Sequence, residues 1–167
     1  MRTRAKPRGI LHRDSMDEEF KDKVIVITGA AGGIGSRLCE CFDSLGARVY
    51  STDLVSVKRD RFVKGDVTDI GFLHGLAKNI VTKEGRIDVL VNNSGICPRT
   101  QLPEITVNEW HRVIEANMTS TFFLIQYCIE VMKPQRSGAI VNVASLAGKN
   151  GGIAVGAHYS ASKAAII

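Results

Sequence analysis

Two residues near the end of the sequence, Tyr159 and Lys163, could together carry out proton transfer. They lie four positions apart in segment 155–167, whose pattern predicts a helix, so their side chains share one face. A free tyrosine has a pKa of about 10 and is a poor base at neutral pH. Because a nearby ammonium favours the phenolate form, the pair could take a proton from an alcohol or give one to a carbonyl oxygen.

The spacing of this pair is not specific on its own, because surface residues four positions apart are common on helices. Ser145 is ambiguous in the same way. It follows a predicted strand and could hydrogen-bond a reacting oxygen, yet a serine at such a place is also typical of a helix N-cap or a turn. The chemistry of these residues therefore depends on what the rest of the chain brings beside them.

The glycine-rich stretch 28–35 predicts a turn that binds a phosphate group. The apolar run 24–27 before it predicts a strand buried on both faces. The glycines Gly29, Gly33 and Gly35 let the backbone come close to a ligand, and the helix N-terminus offers free N–H groups. A strand, a glycine-rich turn and a helix in this order favour a dinucleotide site. The helix is predicted by one apolar stripe, formed by Ile34, Leu38, Cys41, Phe42 and Leu45.

An aspartate, Asp53, follows the second predicted strand at the distance from Gly29 where an acidic residue accepts hydrogen bonds from an adenosine ribose. A carboxylate there repels a 2′-phosphate, which favours NAD over NADP. The glycine turn contains no basic residue, which agrees with that preference, although Lys58 and Arg59 lie further along. The simpler alternative is a loop aspartate at the end of a strand. Together with the glycine turn, the spacing favours the ribose.

Strands that alternate with helices must position these residues. Strands rich in Val and Ile, predicted over residues 24–27, 48–52, 61–64, 89–91 and 139–143, are separated by helical segments. This order is typical of a parallel sheet covered by helices on both faces, a doubly wound α/β fold. Ligands bind such folds outside the carboxyl ends of the strands. One residue that could bind or react follows each predicted strand: Gly29, Asp53, Asp66, Asn92 and Ser145.

Local signals predict where several helices begin and end. Asp69 is expected to cap a helix over residues 70–81, and Thr106 with Glu109 has the form of a capping box. A more apolar helix is expected over residues 120–132, and Pro134 is expected to stop it.

Length and composition fit one domain of 167 residues, of which 44% are hydrophobic and 23% charged. The net charge of +5 comes from a basic N-terminal stretch, and the remaining basic and acidic residues cancel. We therefore expect a basic extension over residues 1–20 and one domain over residues 21–167, without a nucleic-acid-binding face. The basic residues of the stretch are Arg2, Arg4, Lys6, Arg8 and Arg13.

Other partners are excluded by simple patterns. No apolar run approaches the length of a membrane span. The four cysteines and four histidines match no metal-site spacing, so no metal is expected. Free thiols fit a reducing compartment, and a cytoplasmic location is expected.

The motifs are specific in combination. In their order and spacing they resemble the short-chain dehydrogenase/reductase family over about residues 21–167. The resemblance implies a Rossmann fold and hydride transfer between a nicotinamide cofactor and a small alcohol or carbonyl compound. The family usually has alanine where Ser94 stands. The motifs are Thr28-Gly29-x-x-x-Gly33-Ile34-Gly35, Asn92-Asn93-Ser94-Gly95, Asn117, Ser145 and Tyr159-x-x-x-Lys163.

The resemblance also implies a role for each matching residue. Tyr159 would be the catalytic acid/base, and Lys163 would support it and hold the nicotinamide ribose. Ser145 would position the substrate oxygen, and Asn117 would hold a water in the proton relay. The residues that would bind the cofactor are Gly29, Gly33, Ile34, Gly35, Asp53, Asp66, Val67, Asn92, Gly95, Tyr159 and Lys163.

The sequence departs from the family where it stops, four residues after Lys163. The resemblance implies two further strands and a substrate lid beyond that point. The fifth strand is therefore expected to be an unpaired edge of the sheet. In the family, helices around 117–132 and from Tyr159 onward build a dimer interface, so a homo-oligomer is expected of a full-length chain.

Three interpretations of function remain open at this stage. The first is an NAD-dependent oxidoreductase acting on an alcohol or carbonyl compound. The second is an NADP-dependent carbonyl or 3-oxoacyl-carrier-protein reductase, which shares every motif quoted. The third belongs to another class, a dinucleotide-binding module without catalysis.

Overall fold

Five parallel strands form one sheet in the computed structural model, which describes residues 18–167. Their order across the sheet is β3-β2-β1-β4-β5, and every neighbouring pair is parallel. Most of the predicted basic extension, residues 1–17, lies outside the described residues. The strands are β1 (Val24–Thr28), β2 (Arg48–Asp53), β3 (Phe62–Lys64), β4 (Val89–Asn92) and β5 (Ala139–Asn142).

Helices make the crossovers that parallel strands require. A 3₁₀ turn, Leu102–Glu104, precedes α3, and a π turn, Glu115–Thr119, joins α3 to α4 in one helical rod. The last helix, α6, packs against α5, α3 and the π turn. The helices are α1 (Gly33–Ser44), α2 (Ile70–Glu84), α3 (Val107–Ile114), α4 (Ser120–Gln135), α5 (Ala147–Asn150) and α6 (Ala157–Ile166).

The core has two parts, one on each face of the sheet, because side chains of a strand alternate between faces. Val24 and Val26 of β1 face a cluster that includes Leu73 of α2 and Leu124 of α4. The residues between and after them, Ile25 and Ile27, face a second cluster with Cys39 of α1. This arrangement confirms the predicted doubly wound parallel sheet of the Rossmann fold.

The apolar stripe predicted for α1 is wrong in two places. Cys39 is fully buried against the sheet, whereas the predicted Cys41 is exposed. Ile34 is 62% exposed, because it lies in the first turn of α1, beyond the end of β1, and lines a cleft instead of the core.

The predicted N-caps are present, but Pro134 does not stop α4. Asp69 accepts a hydrogen bond from the Phe72 N–H at 3.0 Å, and Thr106 accepts one from the Glu109 N–H at 3.1 Å. Pro134 lies inside the last turn of α4, which ends with Arg136 in the left-handed region at φ 53°. The missing N–H of a proline removes a single hydrogen bond there, one residue before the last residue of the helix, Gln135.

Candidate active site

The ends of β1 and β4 are joined by a compact set of hydrogen bonds. The Thr28 hydroxyl accepts the N–H groups of Asn93 and Ser94 at 3.1 and 3.0 Å. The Asn93 carboxamide donates back to the carbonyl oxygens of Thr28 and Gly29, both at 3.1 Å. These bonds fix the glycine turn at the point where the helices after β1 and β4 leave for opposite faces, the usual ligand-binding place in this architecture.

The glycine turn is packed tightly on one side and open on the other. A Cβ at Gly35 would lie only 2.0 Å from the Gly29 carbonyl oxygen, so α1 can approach the turn only without a side chain there. Gly29 itself has φ +70°, a conformation that glycine adopts at little cost. A Cβ at Gly33 would meet nothing within 4 Å, so this position faces open space. The first amides of α1 therefore point at a space that an anionic group could enter.

A cleft of about 540 Å³ opens above this turn. Seven of the residues predicted to bind a cofactor line it, whereas Gly35 and Asn92 lie beneath it and support it. Asn92 donates from Nδ2 to Asn142 Oδ1 at 2.8 Å and so ties β4 to β5. The seven lining residues are Gly29, Gly33, Ile34, Asp53, Asp66, Val67 and Gly95.

Asp53 reaches the cleft from the end of β2 with its carboxylate held in place. One oxygen accepts the Ala31 N–H at 2.9 Å, and the other accepts the Val55 N–H at 3.0 Å. Each carboxylate oxygen has a further acceptor site, so the group can still bind the two hydroxyls of a ribose. The donor and acceptor set of the cleft thus fits a dinucleotide, with a phosphate at the glycine turn and a sugar at Asp53.

Lys163 lies behind the wall of the cleft, almost completely buried at 5% exposure. Its ammonium donates to the Val143 carbonyl oxygen at 2.7 Å, just beyond β5. A Cβ added at Gly95 would lie 3.5 Å from this nitrogen, so Lys163 comes up directly behind a residue that lines the cleft. Burial lowers the pKa of Lys163, since a buried ammonium loses its hydration.

Asn117 lies in the π turn and binds the chain on two sides. Its Oδ1 accepts the Ile96 N–H at 2.8 Å, and its Nδ2 donates to the Ile96 carbonyl oxygen at 3.0 Å. The same Nδ2 donates to the Ser162 hydroxyl at 2.9 Å, and that hydroxyl donates to the Tyr159 carbonyl oxygen at 2.7 Å. The amide donors of Asn117 are therefore used in joining the loop after β4 to α6.

Tyr159 is half-buried on α6, one turn before Lys163. Ser145 is also half-buried, in the turn after β5, where its hydroxyl accepts the Ala147 N–H at 3.2 Å. The structure thus brings Asn117 and Lys163 together around Gly95 and links Asn117 to Tyr159 through Ser162. Ser145 bonds within its own turn instead.

Several residues of the site have roles that the sequence did not indicate, although Thr28 and Asn93 lie within the motifs. Thr28, Asn93 and Ser162 form the hydrogen bonds that hold the cleft, and their partners are distant in sequence except for Tyr159. Arg112 and Glu115 line the cleft from the rod of α3 and the π turn. Arg112 and Glu115 are three positions apart and share one face of the rod, but that spacing alone does not indicate a cleft.

Within residues 18–167, no group of three or more His, Cys, Asp and Glu residues is placed to hold a metal ion. The helices of this described part of the chain also include none that is long and apolar enough to cross a membrane.

Curated relatives match the chain over most of its length. A 3-oxoacyl-[acyl-carrier-protein] reductase of Thermotoga maritima is 37% identical over 161 residues, which cover 89% of this chain and 65% of the relative. An acetoacetyl-CoA reductase of an Acinetobacter species is 34% identical over 163 residues, covering 88% of this chain and 65% of the relative. The chain thus spans just under two thirds of the length of these relatives.

A solved structure agrees with the sequence matches. A short chain dehydrogenase of Leptospira borgpetersenii, solved with bound NAD⁺, superimposes with a TM-score of 0.83 at 29% identity, over 98% of this chain and 68% of that one. Residues 23–167 match the family model described as short chain dehydrogenase. The chain therefore belongs to the short-chain dehydrogenase family.

Proposed function

We propose that the protein transfers a hydride between NAD(H) and a small alcohol or carbonyl compound, with Tyr159 as the acid/base. The observation that carries this proposal is the buried Lys163 ammonium, one helical turn from Tyr159 and directly behind Gly95 at the wall of the cleft. A buried ammonium lowers the stability of the fold. A role in catalysis explains why it is present, because it lies beside a tyrosine at a dinucleotide cleft.

The protein's own groups would handle the proton. In alcohol oxidation the Tyr159 phenolate accepts the hydroxyl proton, and in carbonyl reduction the phenol donates a proton to the carbonyl oxygen. Lys163, one helical turn from Tyr159, would assist this proton transfer with its ammonium group. The bound nicotinamide cofactor would accept or supply the hydride. Ser145 would donate its hydroxyl hydrogen to the reacting oxygen, because its bond to the Ala147 amide uses the hydroxyl only as an acceptor.

Asn117 supports the proton relay in this proposal through its position. Its side-chain donors are used in protein hydrogen bonds, and its carbonyl oxygen accepts the Thr121 hydroxyl at 3.1 Å. A carbonyl oxygen has two lone pairs, so this one can also accept from a water beside Lys163.

Asp53 supports NAD as the cofactor. Its two carboxylate oxygens are fixed by the Ala31 and Val55 amides and face the cleft, where they would accept from the adenosine ribose hydroxyls and repel a 2′-phosphate. Titrating the protein with NADH and with NADPH tests this preference. We expect tighter binding of NADH, and Asp53→Ala should weaken NADH binding and reduce the discrimination. Tighter binding of NADPH by the unaltered protein would overturn our interpretation of Asp53.

The second candidate is an NADP-dependent carbonyl or 3-oxoacyl-carrier-protein reductase. It is favoured by the two relatives whose names state reductase activity on 3-oxoacyl and acetoacetyl thioesters. Acetoacetyl-CoA is the probe that tests it, offered with NADH and NADPH in turn. Reduction that depends on NADPH would support this candidate over the first.

A cofactor-binding module without catalysis is the alternative from another class. It predicts NADH binding without turnover of any alcohol or carbonyl compound, and with no effect of Tyr159→Phe.

The homo-oligomer, the cytoplasmic location and the domain limits at residues 20 and 21 stay predictions.

A further inference from the structure

His158, the residue before Tyr159, is completely buried, and both of its ring nitrogens lack a hydrogen-bond partner within residues 18–167. A buried polar group without a partner costs free energy, and such groups are uncommon in folded proteins. The proton relay proposed above does not use this imidazole. Its place beside Tyr159 on α6 therefore calls for a physical reason.

The nearest charged group is Glu109, on the neighbouring helix α3. The distance from His158 Nε2 to Glu109 Oε1 is 3.7 Å, and no other carboxylate oxygen of residues 18–167 lies within 4.0 Å of the ring nitrogens. This distance is longer than a hydrogen bond, but a small movement of one side chain would close it. The Glu109 carboxylate is itself held, because it accepts the Thr100 hydroxyl at 2.7 Å.

Gly156 limits the space around the His158 ring. A Cβ at Gly156 would lie 2.3 Å from His158 Cε1 and 2.6 Å from Nδ1, so the ring packs directly on the glycine backbone. Gly156 is fixed in turn, since its N–H donates to the Pro98 carbonyl oxygen at 2.9 Å. The Gly156 backbone therefore closes one side of the imidazole, and the Glu109 carboxylate is the acidic group near its Nε2.

We propose that His158 and Glu109 form a positioning pair that holds the first turn of α6, and with it Tyr159, against α3 and segment 96–101. The Nε2–H group of His158 points at the Glu109 carboxylate, which Thr100 fixes from the loop side. That Tyr159 is the group positioned for chemistry rests on the proposed function. The pair itself rests only on the burial and the distances given above.

The pair complements the contact at the other end of the same turn. There, Asn117 joins Ile96 to Ser162, next to Lys163. Here, Glu109 joins Thr100 to His158, next to Tyr159. Both contacts tie α6 to the loop between β4 and α3. A ligand that moves this loop would therefore move Tyr159 and Lys163 together.

Two variants of His158 separate positioning from simple packing. His158→Leu fills the buried site with an apolar side chain and removes the donor. His158→Gln keeps an N–H donor near the place of Nε2. On the protein at its native length, with acetoacetyl-CoA as the probe substrate, we expect kcat to fall about tenfold for His158→Leu because Tyr159 loses its orientation. The Kd for NADH should not change, and His158→Gln should keep most of the kcat.

Glu109→Ala tests the partner, with Glu104→Ala and His111→Gln as controls at exposed positions. We expect Glu109→Ala to lower kcat as His158→Leu does, and the double variant to lose no more than the stronger single variant. The controls should match the unaltered protein. Equal kcat values for all these variants and controls would overturn the pair and leave the proposed function standing.

Hydrogen exchange of peptides covering residues 157–163 tests the pair without any substrate. We expect faster exchange in Glu109→Ala and His158→Leu than in the controls, with protection kept by His158→Gln. If the unaltered protein turns over no substrate, this readout still decides: faster exchange supports the pair, and unchanged exchange overturns it.

Discussion

A charged side chain at 5% exposure, that of Lys163, is the residue that most needs an explanation. Its single protein hydrogen bond, to the Val143 carbonyl oxygen, does not replace the hydration of an ammonium. Burial lowers its pKa, so the charged form is less stable in the folded protein than in water. Proteins retain such groups where function requires them.

The pH dependence of stability should report this burial. The folded protein binds the Lys163 proton less tightly than the unfolded chain does. The buried ammonium therefore destabilises the fold to its full extent at pH values below the pKa of Lys163 in the folded protein. Stability recovers as pH rises from there toward the ordinary value of 10.5. Lys163→Met removes this contribution, so the unfolding free energy of the unaltered protein minus that of the variant should rise with pH and level off above 10.5. Urea unfolding at several pH values measures this difference, and one that is constant with pH would contradict the assignment.

At the residue scale, spacing predicted the residues with distinctive chemistry but not the hydrogen bonds that hold the site together. Asp53 and Lys163 could be found because their distances along the chain match a ribose contact and a helical turn. Thr28 and Asn93 lie within the motifs, but their hydrogen bonds could not be predicted, since they join residues 65 positions apart in sequence. Such bonds depend on which strands become neighbours in the sheet, and local sequence patterns do not predict the strand order.

At the scale of the element, the glycine turn and α1 act as one unit whose glycines have different tasks. Gly35 allows close packing, whereas Gly33 faces the open cleft. The sequence predicted the strand, turn and helix, because each has a local pattern. It misplaced the buried cysteine of α1, since Cys39 and Cys41 are equally apolar and only the packing of the helix on the sheet distinguishes them.

Alanine substitutions should separate the two tasks. Gly35→Ala places a Cβ against the Gly29 carbonyl oxygen, and overpacking of this kind costs about 1–3 kcal/mol of stability. Gly33→Ala meets no atom within 4 Å and should leave stability unchanged or raise it by up to about 1 kcal/mol. It should still weaken NADH binding, because its methyl group occupies the approach to the turn. Thermal unfolding and NADH titration measure both effects, and equal stability of the two variants would contradict this division.

At the scale of the whole molecule, the parallel strands place the predicted site residues that follow them, such as Gly29 and Asp53, at the carboxyl ends of one sheet. The parallel fold could be predicted from the alternating strands and helices. The position of β1 between β2 and β4 could not, because tertiary packing determines the strand order. Within the described residues, β5 pairs only with β4, as expected for an edge strand, and its Val141 is 51% exposed. Apolar edge strands of this kind promote association between chains.

The edge should determine how the 167-residue chain behaves in solution. We expect this chain to self-associate through β5, and Val141→Lys to reduce the association because a charged side chain opposes edge-to-edge pairing. Light scattering over a concentration series measures it. Ile153→Lys, at an exposed position outside the sheet, is the matched control. An equal effect of the two lysines would mean that added charge, and not the strand edge, governs association.

The account as a whole depends on hydride transfer assisted by Tyr159, and absorbance at 340 nm measures that transfer directly. For the protein at its native length, assayed with NADH and acetoacetyl-CoA, we predict loss of the NADH absorbance. Tyr159→Phe should slow it by at least about 100-fold without changing the Kd for NADH. Tyr127→Phe, which removes a hydroxyl from α4, should react as the unaltered protein does. NADH binding without any absorbance change, or full activity of Tyr159→Phe, would contradict the account.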